Sequence, residues 1–163
     1  MGIAKWALIV VVALPLALLL AGRTGALSGR PPGDLGVREG RLKPPSSNPN
    51  SVSSQADLHP GHPLREAAHT MPLALRGDGP ATLARIRSIV ESIAGAQIVA
   101  GDAGYLRVEF STALLRFVDD AEFWFDPAGQ VVQVRSAARL GRRDFEVNRR
   151  RIEEIRARLA QAS

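Results

Sequence analysis

With 163 residues, 45% of them hydrophobic, the chain has room for one ordinary domain with a core, plus a targeting segment. It has no cysteine, which excludes disulfides, thiolate catalysis, thiolate zinc sites and acylation of an N-terminal cysteine. Its 21 Lys and Arg against 16 Asp and Glu give a formal charge of +5, which suits acidic partners, or else a solvated surface biased toward arginine.

Residues 6–22 carry no charge and lie between Lys5 and Arg23. A basic start, an apolar run of 17 residues and Trp6 at its edge fit a membrane anchor or a signal segment over residues 1–23. The run is long for a signal core, and no cleavage site stands out, so an uncleaved single-pass anchor is the preferred reading. The expected location is the bacterial inner membrane, with the following domain in the periplasm.

Residues 24–63 are rich in Gly, Pro, Ser and Asn and read as extended chain without helix. Leu35, Val37, Leu42 and Val52 are spaced apolar anchors, so part of this segment is expected to dock on a domain formed by residues 64–163. Residues 78–95 read as a helix: Asp78 or Gly79 caps it, Pro80 suits its first turn, and Leu83, Ile86, Ile89, Val90 and Ile93 form one stripe.

Strands are expected at 97–100 and 105–111, and then at 117–125 and 131–138 around the turn Asp126-Pro127-Ala128-Gly129. A four-residue loop there would set Trp124 opposite Val131, Glu122 opposite Gln133 and Asp120 opposite Arg135. Residues 144–159 read as the last helix, with Asp144 as N-cap and Phe145, Ile152, Ile155 and Leu159 on the buried stripe. Asn148 falls on that stripe and must be hydrogen-bonded there. The pattern predicts an α+β domain: an antiparallel sheet of four to five strands with two helices on one face, preceded by the transmembrane or signal helix. The other face would be open or covered by residues 35–56.

Three polar groups stand out. Asp119, Asp120 and Glu122 could form a metal or acid–base site, or a cross-strand charge ladder with Arg107 and Arg135. Asp119 points to the apolar side, where it would cap a turn or meet Arg139 or Asn148. Arg135, Arg139, Arg142, Arg143, Arg149, Arg150 and Arg151 surround a helix start at Asp144, which suits a phosphate or carboxylate, or surface pairing with Glu146, Glu153 and Glu154. His59, His62 and His69 lack the carboxylate partners of a metal site. There is no G-x-S-x-G, no glycine-rich phosphate loop and no dinucleotide fingerprint. No metal or cofactor is expected, and no nucleic acid, since aromatic residues are too few for a stacking platform.

The stretch FVDDAEFWFD, then VVQVRSAARLGRRDFEVNRRRIEEIR, with SSNPNSVSS upstream, resembles the domain-of-unknown-function family numbered 1499. Proteins of that family occur in bacteria and photosynthetic eukaryotes, often behind a membrane segment or targeting peptide. The resemblance covers residues 35–159. It implies that Asn50, Tyr105, Asp119, Asp120, Glu122, Arg135, Ser136, Arg139, Asp144, Asn148 and Arg151 matter, and that their loops and strands converge. This chain departs from the family at Ala138, usually Ser, at Glu146, usually Gly, and near Ser46 or Ser51, where Cys is common. The resemblance implies no reaction. The expected role is a non-catalytic module binding an anionic lipid, metabolite or envelope protein, held at a membrane by residues 6–22. The alternative is an enzyme using the Asp119, Asp120 and Glu122 carboxylates with Arg135 and Arg139.

Overall fold

The structure, a computed structural model, describes residues 2–162; within the first helix it describes the side chains of Trp6 and of Ile9 onward. The chain order is α1 (Ile3–Arg23), β1 (Ser51–Ser53), a 3-10 turn (Ala56–Leu58), α2 (Arg65–Ala68), β2 (Leu73–Ala74), α3 (Gly79–Glu91), β3 (Ala96–Gly101), β4 (Tyr105–Ser111), β5 (Val118–Asp126), β6 (Val131–Ala138) and α4 (Val147–Gln161). Among the described residues, no helix is long and apolar enough to cross a membrane.

The α+β class is as expected, but the sheet has six strands. Its order is β1-β6-β5-β4-β3, and β2 pairs with the first half of β6 beside β1. All pairings are antiparallel. The two extra strands come from the Ser-rich and Pro-rich stretches, where three- and two-residue strands are too short to show a period. Residues 24–63 are therefore more than a docked tail, because β1 lies within them.

Helices α3 and α4 pack on one sheet face, where Leu106, Val108, Phe110, Ala121, Phe123, Val132 and Val134 meet Leu83, Ile86, Val90, Ile152, Ile155 and Leu159. In β4 burial alternates with each residue, as its sequence does. In β5 it does not: residues from Val118 to Phe123 are buried on both faces. The second cover is the segment around residues 36–55: Gly36 N–H donates to Glu122 Oε1 on β5 at 2.6 Å, and Leu42 is buried.

The β5–β6 register departs from the expectation by two residues. Trp124 lies opposite Gln133, Glu122 opposite Arg135, Asp120 opposite Ala137 and Asp126 opposite Val131. Alternation fixes a register only to within multiples of two; the turn decides the rest. Here Asp126 ends the strand and accepts from the N–H groups of Ala128 and Gly129, so the loop starts one residue later than expected.

The two helix boundaries also shift. Asp78 caps α3 by accepting from Ala81 N–H at 2.7 Å, but the helix ends at Glu91 and Gly95 takes φ 81° in the connection. Helix α4 begins at Val147, because Phe145 and Glu146 have φ of 53° and 64°. Phe145, expected in the core, is 80% exposed as a result. Ile152, Ile155 and Leu159 are buried as expected.

Candidate functional site

Neighbouring residues of a strand point to opposite faces, so Asp119 and Asp120 anchor two different polar clusters through β5. On the face covered by residues 36–55, Asp120 is held by a two-point contact from Arg139: Nε to Oδ2 at 2.7 Å and Nη2 to Oδ1 at 2.8 Å. Arg107 Nη2 donates to Asp120 Oδ1 at 3.2 Å, and Arg139 Nη2 also meets Glu109. Hydrogen bonding to Asp120 holds the Arg139 guanidinium above its ordinary pKa. Arg139 thus pairs with Asp120, not with Asp119.

Glu122 is fully buried on the same face. Its Oε1 accepts from Tyr105 O–H at 2.8 Å and from Gly36 N–H at 2.6 Å. Burial, reinforced by the Glu122 charge, pushes the Tyr105 phenol far above its usual range, so it is a fixed donor. Arg135 donates from Nε to Pro44 O at 3.2 Å, while its Nη1 stands 3.7 Å from Glu122 Oε2. Neither of those two atoms has a hydrogen-bond partner among the described residues. Burial lowers the pKa of Arg135, against the opposing pull of Glu122. The alternating carboxylates and arginines are the cross-strand ladder that the sequence offered, with Glu122 and not Asp120 facing Arg135.

On the helix face, Asn148 is fully buried and fully bonded. Its Oδ1 accepts from Ser136 O–H and from Arg151 Nη1 at 2.9 Å. Its Nδ2 donates to Asp144 Oδ2 at 2.8 Å and to Asn50 O at 3.3 Å. Asn50 in turn donates from Nδ2 to Gly141 O at 2.7 Å and accepts from Ala138 N–H at its carbonyl. Asp119 meets Arg151 at 2.8 Å, not Arg139 or Asn148, and Arg151 lies 4.3 Å over the Phe110 ring. Burial raises the Asp119 pKa even against Arg151.

All eleven residues singled out from the sequence therefore fall in these two clusters. They do not form one open site. The anion seat expected at the α4 N-terminus is occupied by the chain itself: Asp144 accepts from Asn148 N–H at 2.9 Å and from Glu146 N–H at 3.2 Å. Arg149 turns to the carbonyls of Ala67 and His69, and Arg151 to Asp119. Among the described residues, no group of three or more His, Asp or Glu is arranged to hold a metal.

One cleft lies beside the first cluster. About 260 Å³ in volume, it is lined by Arg30, Lys43, Ser46, Ser47, Asp120, Arg135 and Arg139, with Pro32, Pro45, Ala137 and Ala138. It has four cations to one carboxylate. Lys43 is tied to Asp34 at 2.6 Å, whose pKa it lowers, and Arg30 is exposed. Such a lining can hold an anion by charge-assisted hydrogen bonds, with the serine hydroxyls as further donors. Sequence reasoning missed Arg30, Lys43 and Ser47 as site residues. The only available signal was for Lys43 and Ser47, which lie in the segment 35–56 that was read as a possible cover of the polar sheet face; Arg30 lies before it.

The fold and the paired buried clusters define an α+β domain with an N-terminal apolar helix, its central strand covered on both sides. The family described as Protein of unknown function (DUF1499) matches residues 41–159, and the chain belongs to it. No curated protein and no solved structure matches the chain.

Proposed function

We propose that the protein is a membrane-anchored, non-catalytic module that binds a phosphate- or carboxylate-bearing ligand in the cleft between residues 30–47 and β6. The observation that carries this reading is the lining of that cleft, where Arg30, Lys43, Arg135 and Arg139 stand with one lining carboxylate, Asp120, while Asp34, Glu109 and Glu122 pair with these cations from outside the lining. Arg135 is buried in that lining, and its Nη1 has no hydrogen-bond partner among the described residues, only the Glu122 carboxylate at 3.7 Å. Asp119, Asp120 and Glu122 are each engaged by arginine or tyrosine, which suits a scaffold better than an acid–base pair.

The anchor is α1. Trp6, Ile9, Val10, Val11, Val12, Leu14, Leu16, Leu18, Leu19 and Leu20 are exposed on all sides of it, an apolar surface that lipid accommodates and water does not. The domain then lies on the periplasmic side of a bacterial inner membrane, and a topology reporter fused after Ser163 tests that side directly.

The binding reading is tested on the full chain in mild detergent with inorganic phosphate as probe and chloride as the ionic-strength control. Phosphate raises the melting temperature of the wild type and not that of the Arg30→Gln/Lys43→Gln variant, which changes two partly exposed side chains outside the core. An equal rise in both proteins would contradict the reading.

A further inference from the structure

We infer that the end of the domain from which α1 emerges is a surface that seats on anionic phospholipid headgroups. This rests on the reading of α1 as an anchor. Three segments meet there: residues 22–30, 112–117 and 139–143. A Cβ on Gly22 would lie 2.8 Å from the carbonyl oxygen of Leu115, and one on Gly29 would lie 2.8 Å from Arg139 Cβ and 3.1 Å from Leu140 Cγ. The chain leaving α1 therefore touches both loops, and the loops are joined by Arg139 N–H donating to Val118 O at 3.0 Å.

Charge is distributed unevenly. These segments contain Arg23, Arg30, Arg116, Arg139, Arg142 and Arg143, and no Asp or Glu. Of 21 basic and 16 acidic residues in the chain, that leaves 15 basic against 16 acidic elsewhere. The whole positive surplus sits at one end. Arg139 is committed to Asp120 and Glu109, but the other five arginines are exposed. Among them stand exposed apolar side chains: Leu114 at 72% and Leu140 at 42%.

Arginines interleaved with exposed leucines, next to an apolar helix, match a bilayer interface: the guanidinium groups meet phosphates while the leucines enter the acyl boundary. An acidic protein partner would account for the charge, but not for its placement around the exit of α1.

The chain has no cysteine, so Leu114→Cys accepts a single environment-sensitive fluorophore. Met71→Cys is the control: Met71 is exposed beside β2, near the opposite end of β6. The full chain is placed in nanodiscs of phosphatidylcholine alone, or with phosphatidylglycerol. The expected result is a blue shift and a rise of about twofold in emission at position 114 in the anionic discs. Position 71 stays unchanged, and the gain at 114 is lost in Arg116→Gln/Arg142→Gln/Arg143→Gln. If the chain enters the discs but position 114 stays as wet as position 71, the seating surface is refuted and the anchor stands. If the chain does not enter the discs, both fall together.

Discussion

Asn148 connects four parts of the molecule, and removing it should leave one specific orphan. In Asn148→Ala, Arg151 keeps Asp119, Asp144 keeps the backbone N–H groups of residues 146 and 148, and Asn50 O keeps Ala138 N–H. Ser136 does not fare so well: its hydroxyl is fully buried and donates only to Asn148. The orphaned hydroxyl costs about 1–3 kcal/mol and the lost bonds to charged partners about 1.5–3 kcal/mol, so the single variant should lose roughly 3–5 kcal/mol. Ser136→Ala in the Asn148→Ala background removes the orphan and should recover about 1–2 kcal/mol, although the same change in the wild type destabilises. Urea unfolding of the full chain in detergent, followed by near-UV circular dichroism, measures all four corners of this cycle. Additive losses would refute the claim that Asn148 is what satisfies Ser136.

Three further outcomes follow from the same geometry. Arg139→Ala should destabilise by about 3 kcal/mol, because the buried Asp120 carboxylate keeps only its longer contact to Arg107; a melting temperature close to wild type would contradict this. Glu146→Gly should stabilise by about 0.5–1 kcal/mol in thermal melts, since Glu146 sits at φ 64° and gives up only an exposed pair with Arg149. Asp119 has a folded pKa above its unfolded value of 3.8, so its contribution is fully present below that value and is lost as pH rises through the folded pKa. Melts from pH 3.5 upward should therefore show wild type losing stability relative to Asp119→Asn as pH rises; a relative gain would overturn the assignment.

The β4–β6 meander and both long helices were legible because their apolar residues repeat with periods that only one element satisfies. The alternation of Leu106, Val108 and Phe110 fixed a face, and so did the stripe of Ile152, Ile155 and Leu159. Asn148 was legible as a bonded core residue because nothing else is tolerated on such a stripe. The pairing of Glu122 with Arg135 was not, because a register slip of two preserves every face. Phe145 was misplaced because a hydrophobic residue in helical phase gives no sign of the left-handed backbone that precedes Val147; the glycine that the resembling family carries at position 146 was the available hint. The cleft was hidden for a different reason. Arg30, Lys43 and Ser47 belong to a segment without period, and only the tertiary fold lays it across the sheet.

The account's central claim is that the basic cleft holds an anionic ligand. The most direct test is native mass spectrometry of the full chain, purified from cells in mild detergent without stripping small molecules. The account predicts a retained phosphate- or carboxylate-bearing mass that is lost in Arg30→Gln/Lys43→Gln. A bare chain, or a retained mass that the double variant keeps, would contradict it.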